Sequence, residues 1–151
     1  MGVGALKSTQ ETNRTAVPPV MNGPSFDGKL RIARFAGVVA GADVAVGTTL
    51  DLVWLPAGAV FMFGYWYNDA TFAGLGVTID IGIAADPDGF ADNIDVASEN
   101  LTFFPNTAAV AGLTYGYGYA LTAAQKVYAT TVGDVIVATG VYKGFIAYMI
   151  D

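Results

Sequence analysis

Gly76-Val77-Thr78-Ile79-Asp80-Ile81-Gly82-Ile83-Ala84 alternates without a break. Val77, Ile79, Ile81 and Ile83 share one parity, and Thr78, Asp80 and Gly82 take the other. A period of two places branched side chains on one face of a strand and polar or small ones on the opposite face. Elsewhere, no 3.6-residue apolar stripe of useful length appears, so nothing calls for an amphipathic helix. The fold is predicted to be all-β.

Strand signals continue on both sides of this stretch. Upstream, Lys29 to Ala40 starts with Leu30 and Ile32 on one face and Arg31 on the other. Thr48 to Leu55 sets Leu50, Leu52 and Trp54 against Asp51. Leu55-Pro56-Ala57-Gly58 then reads as a type I turn, with Pro in its second position and Gly in its fourth. Ala59 to Tyr67 is the next strand. Downstream, Asp86 to Glu99 is expected to be an acidic loop. Leu101 to Phe104, Ala109 to Ala120, Lys126 to Thr131 and Asp134 to Tyr148 follow as strands, the last bent at Gly140 or Gly144. Ala120 to Lys126 leaves room for one turn of helix. About eight strands with turn signals between them suit an antiparallel β-sandwich of jelly-roll type over residues 29–151.

Residues 1–28 differ in kind. Pro18, Pro19 and Pro24 stand among Ser, Thr, Asn and Gly, a composition that buries too little surface to fold alone. This segment is expected to be an extended N-terminal arm, either a loose tail or a strap ordered by a neighbouring subunit. Val17, Val20, Met21 and Phe26 could anchor such a strap.

Composition bounds the function. Of the 151 residues, 54% are hydrophobic and 13% charged, about half the usual charged share of a soluble domain. So few charges over so much surface imply that other protein covers part of it. Charge is also uneven. Residues 1–34 hold five bases and two acids, whereas residues 35–151 hold two bases and eleven acids. A net charge of −6 argues against a general nucleic-acid binder. Met1 to Gln10 lacks the apolar run of a secretory signal. The long uncharged stretch from Asn100 to Gln125 is too interrupted to span a membrane.

Two strands are apolar on both faces. In Ala59 to Tyr67, Val60, Met62 and Trp66 share one parity, and Phe61, Phe63, Tyr65 and Tyr67 the other. Val135 to Ile150 behaves alike. A strand wet on one side does not read this way. Either loops of the same chain cover the second face, or a second subunit does. Tyr115, Tyr117 and Tyr119 form a comb on one face of a strand, suited to packing, to a subunit contact or, if exposed, to stacking on sugars. The candidate subunit contacts are Phe61, Phe63, Tyr65, Tyr67, Tyr115, Tyr117 and Tyr119. Arg14, Lys29, Arg31 and Arg34 are the candidate contacts to a larger assembly on which the oligomer would sit.

Catalytic signals are missing. The chain has no histidine and no cysteine, which removes the Ser-His-Asp triad, imidazole metal sites and thiol chemistry. Ser8, Ser25 and Ser98 lie in no nucleophile elbow, and no phosphate-binding glycine loop is present. We expect no enzyme, and assign no cofactor, catalytic or metal residue. Asp86-Pro87-Asp88-Gly89, Asp92, Asp95 and Glu99 could bring calcium ligands together, but their spacing is not that of an EF-hand, and Asp-Pro and Asp-Gly are ordinary turn formers. Asn100-Leu101-Thr102 matches a glycosylation sequon by its letters alone.

Three segments carry a resemblance: Leu-Pro-Ala-Gly-Ala-Val at 55–60, Val-Thr-Ile-Asp-Ile-Gly-Ile-Ala-Ala-Asp-Pro-Asp-Gly-Phe-Ala-Asp at 77–92, and Gly-Asp-Val-Ile-Val-Ala-Thr-Gly-Val-Tyr at 133–142. With them the chain, over residues 29–151, resembles the small jelly-roll decoration (cement) proteins of tailed-bacteriophage heads and related phage structural proteins. The resemblance implies a trimer on the outside of the capsid, made in the host bacterial cytoplasm and bound to the major capsid protein. It also implies an arm reaching across capsomers. It brings no catalytic residue. A receptor- or carbohydrate-binding module of a phage fibre or tail is the alternative, and it requires an exposed tyrosine comb.

Overall fold

The computed structural model describes residues 29–39, 44–70, 72, 75–105, 118–137 and 140–150. The chain divides into two compact units, Met1–Lys29 with Asp151, and Leu30–Ile150. Apart from Lys29, the first lies outside the described residues, and with it the expected arm.

Eight strands make up the second unit, with Lys29 opening the first: β1 (Lys29–Val38), β2 (Thr49–Leu55), β3 (Val60–Asn68), β4 (Thr78–Ile83), β5 (Asp86–Asp95), β6 (Asn100–Phe104), β7 (Gln125–Val132) and β8 (Val141–Ile150). They form two four-stranded sheets, ordered β1-β8-β3-β6 and β2-β7-β4-β5. First strand lies beside last, second beside seventh, third beside sixth and fourth beside fifth. The chain is thus one long hairpin, rolled so that its two arms share both sheets. That is the jelly roll. The turn predicted at Leu55-Pro56-Ala57-Gly58 joins β2 to β3, and Gly58 takes the left-handed backbone (φ 79°) that its lack of Cβ permits.

β4 behaves as its alternation requires. Ile79, Ile81 and Ile83 point into the sandwich, while Thr78 and Asp80 stay half exposed. Beside it stands a correction. Most of Asp86 to Glu99, expected as a loop, is strand β5. Its buried face is made by Phe90, Ala91 and Ile94, with Ala91 opposite Ile81 and Ile94 opposite Ile79. Asp and Pro are tolerated because β5 is an edge strand, where one row of backbone groups needs no partner. The register shifts twice along it, and Asn93 has φ 52°. Such bulges hide the period of two from a reader of the sequence. The expected strand Ala109 to Ala120 lies outside the described residues up to Tyr117, and Ala120 makes an isolated bridge to Val60. No helix forms at 120–126, where the chain bends and enters β7 at Gln125.

Rings from both sheets fill the core. Phe61 of β3 stacks on Phe90 of β5 across the sandwich, centroids 4.4 Å apart, and has Phe104 of β6 at 6.1 Å. Trp66 meets Tyr142, Phe72 and Phe35 at 5.2, 5.6 and 5.8 Å. Its indole Nε1 donates to Oδ1 of Asn68 at 3.1 Å. Asn68 is fully buried, and its amide nitrogen reaches the carbonyls of Ser98, Asp69 and Val96 at 2.7, 3.1 and 3.2 Å. One side chain thus ties the link between β5 and β6 to the end of β3. A buried amide satisfied on both ends stabilises; left unpaired it costs ~1–3 kcal/mol.

Candidate functional site

β3 explains how one strand can be apolar on both sides. Opposite β8 its register shifts between Phe61 and Phe63, so Met62 is an extra residue. The bulge reverses parity. Phe61 points inward with Gly64, Trp66 and Asn68, while Phe63, Tyr65 and Tyr67 point outward. Phe61 is therefore removed from the candidate contacts: it is a fully buried core residue.

The outward residues join others from neighbouring strands. Tyr65 lies opposite Phe103 of β6 and Phe145 of β8, and Tyr67 lies opposite Leu101 and Lys143. Register alone thus assembles a continuous ring system: Phe103 to Tyr65 at 6.2 Å, Tyr65 to Phe145 edge-on at 4.8 Å, and Phe145 to Phe63 at 5.9 Å. Phe103 is 63% exposed, Leu101 54% and Phe63 41%. Leu30 and Ile32 of β1 extend the exposed apolar surface of this sheet. Single exposed apolar residues are commonplace, whereas a connected set on one face marks a contact surface.

Charge borders the rings. Lys143 Nζ stands 4.6 Å from the Tyr67 ring centroid. The Tyr67 hydroxyl donates to Glu99 Oε1 at 2.8 Å, and this bond, with burial and the Glu99 charge behind it, holds the phenol above its ordinary pKa. A shallow concavity of about 620 Å³ opens beside Tyr65 and Phe145, rimmed by Arg34 and Lys143 and floored at Phe35 and Gly144. The close packing there requires glycine, since a Cβ on residue 144 would strike the Tyr65 carbonyl and the Phe35 ring.

The other sheet differs. Trp54 is 65% exposed at one end of it, with Lys126 Nζ 5.6 Å from its ring, 5.8 Å from that of Tyr128 and 2.7 Å from Asp51 Oδ2. At its far side stand the acids of β4 and β5. Burial pushes the Asp80 carboxyl up from its ordinary pKa; the Asn93 N–H, 2.9 Å from Oδ1, opposes this, and the charges of Asp92 and Asp88 reinforce it. Folded Asp80 therefore holds a proton more tightly than unfolded Asp80. Stability falls as pH rises from the ordinary carboxylate value through the raised one. Asp80→Asn keeps an oxygen for the Asn93 N–H and removes the charge. It is expected to raise the urea midpoint at neutral pH, with the gain shrinking towards about pH 4; paired urea melts at the two pH values check this. Among the described residues no group of three or more acidic side chains is placed to hold a metal ion.

Of the remaining residues expected from sequence, Lys29, Arg31 and Arg34 are exposed on β1, and Tyr119 is half-buried against the core. Arg14, Tyr115 and Tyr117 lie outside the described residues. Leu101, Phe103, Lys143 and Phe145 were not anticipated. The alternation of Leu101 and Phe103 with Thr102 carried a signal, but only strand pairing reveals their neighbours.

Fold and surface together define an all-β jelly roll with one exposed aromatic sheet face. No family model matches the sequence, and no curated protein does. Solved structures do. A chain of the cyanophage Pam1 capsid asymmetric unit matches with TM-score 0.69 at 17% identity, over 99% of this chain and 100% of that one. A chain of the Ralstonia phage GP4 capsid matches with TM-score 0.63 at 16% identity, over 82% and 85%. One from the acid-stable capsid of Helicobacter pylori bacteriophage KHP30 matches with TM-score 0.54 at 16% identity, over 80% and 87%. These structural neighbours are chains of phage capsids, and the likeness at such identities is one of fold.

Proposed function

We propose that this chain is a structural, non-enzymatic protein of a phage virion that binds the outside of the head as an oligomer, in the manner of a decoration or cement protein. The observation that carries the proposal is the connected, exposed ring system on one face of a fold shared with phage capsid chains. Phe63, Tyr65 and Tyr67, with Phe103 and Phe145, supply the contact between copies, and a trimer is the expected closed form. Arg14, Lys29, Arg31 and Arg34 face the major capsid protein. Each contact is weak, and several acting together hold the oligomer on the shell.

Removal of residues 1–28 tests this. The truncated protein is expected to keep its oligomeric mass and to lose head binding at least tenfold in a co-sedimentation assay. Undiminished binding by the truncated oligomer would remove the arm from the mechanism. Failure of the full chain to co-sediment with heads of its source phage would end the proposal.

A further inference from the structure

A jelly roll leaves four strand edges, here β1, β6, β2 and β5. Natural sheets protect their edges, because an open row of N–H and C=O groups is a template for another chain. Three of these edges carry such protection. β5 has Pro87, two register shifts and Asn93 in the left-handed region. β6 is five residues long and runs straight into Pro105. β2 shifts register between Asp51 and Val53. β1 has none of these devices; its guard is charge alone, Lys29, Arg31 and Arg34, which deters an apolar or basic strand and admits an acidic one. It is ten residues long, without proline or acid, and Leu30, Ile32 and Val38 are exposed along it. Among the described residues no strand lies on its outer side.

Building on the shell-binding reading above, we infer that β1 is a strand-addition site for an extended, acidic segment of another protein. In that arrangement the guest's backbone completes the hydrogen-bond ladder and its carboxylates pair with the β1 cations. The charge on β1 selects the occupant. Lys29, Arg31 and Arg34 stand within six residues of one another, with no acid between them. Antiparallel pairing with the β1 strand of a second copy would set Lys29 opposite Val38, Arg31 opposite Ala36 and Arg34 opposite Ala33, so the cations of both copies would crowd one ribbon with no carboxylate to answer them. The 28 residues before β1 hold two bases, two acids and three prolines, a poor complement and a poor ladder partner. A guest with alternating carboxylates meets both requirements. Lys29 and Arg31 share one parity, Leu30, Ile32 and Arg34 the other. The guest therefore needs acids towards the first set, and apolar residues ending in an acid towards the second.

The probe is a capped ten-residue peptide alternating glutamate with valine and threonine, with one further glutamate on the valine/threonine face for Arg34. A version with lysine for glutamate and a version N-methylated on alternate amides serve as controls. Fluorescence anisotropy with the full-length protein is expected to show the glutamate peptide binding at least tenfold more tightly than either control. Amide hydrogen exchange is expected to slow in β1 and to stay unchanged in β5 and β6. R31E/R34E, checked for native circular dichroism, is expected to exchange the preference for glutamate for one for lysine; R31Q/R34Q, a milder change, is expected to abolish the preference. Equal binding of the charged peptides, indifference to N-methylation, no binding, or binding without protection of β1 each overturns the inference. Head binding distinguishes this inference from the shell-binding reading. If R31E/R34E binds heads as the wild type does, strand addition falls, and the assignment of Arg31 and Arg34 to the capsid contact falls with it, while head binding by the protein stands. If the wild type ignores heads while the peptide results hold, the shell reading falls and the edge site stands.

Discussion

Trp66→Ala is expected to remove about 3–5 kcal/mol of stability, the range for deleting a large buried aromatic. The indole is fully buried among Phe35, Phe72 and Tyr142, so its loss opens a void between rings that cannot collapse together. A second cost adds to the void. Asn68 Oδ1 accepts from the Trp66 indole, and alanine leaves that oxygen buried without this donor. Domains of this size hold only ~5–15 kcal/mol in total. Urea unfolding followed by circular dichroism is expected to show a large drop in midpoint with little change in slope. Trp66→Phe keeps much of the volume and loses the N–H, so it is expected to fall between the two. A loss below about 1 kcal/mol for the alanine variant would mean that the ring cluster is not the keystone of this half of the core.

Phe103→Asp is expected to do the reverse: leave the fold intact and abolish assembly. Phe103 is 63% exposed, and its ring contact is to Tyr65 on the same outer face. A surface substitution of this kind usually moves stability by no more than ~0.5 kcal/mol. At a contact between copies, however, it replaces an apolar side chain worth ~1.5–3 kcal/mol per burial with a carboxylate that must shed its water. Every copy in a symmetric oligomer carries the change, so the loss repeats at each contact. Sedimentation velocity is expected to show monomers with a wild-type urea midpoint. Retention of the oligomeric mass would move the contact between copies to another surface. The comparison of Trp66 with Phe103 separates the rings that hold the core from those proposed to hold copies together.

Much of this architecture could be read from the sequence, and the exceptions have local causes. The alternation at Val77 to Ile83 exposed β4 because a strand covered on one face cannot hide its period. The eight-strand jelly roll is likewise legible, although β5 reads as a loop. Asp, Pro, Gly and Asn dominate its composition, and only Phe90 and Ile94 betray a buried side. Among the surface residues, Phe63, Tyr65 and Tyr67 followed from parity. Phe61 shares their parity in the sequence but turns inward, because the extra residue at Met62 exists only relative to β8, a partner some eighty positions away. Phe103 and Phe145 escaped for the same reason. Their place beside Tyr65 is a matter of register, which the hydrophobic pattern of one strand does not contain.

β8 lies between β1 and β3, although it is the last of the eight to leave the ribosome. The sheet bearing the rings therefore cannot close until Val141–Ile150 has emerged. Folding of such a non-local topology is slow, and until then Phe63 and Tyr65 have no neighbouring strand on that side to hold them in array. The ring-bearing surface comes into being only once β8 is in place, so a product that stops before Val141 would not display it.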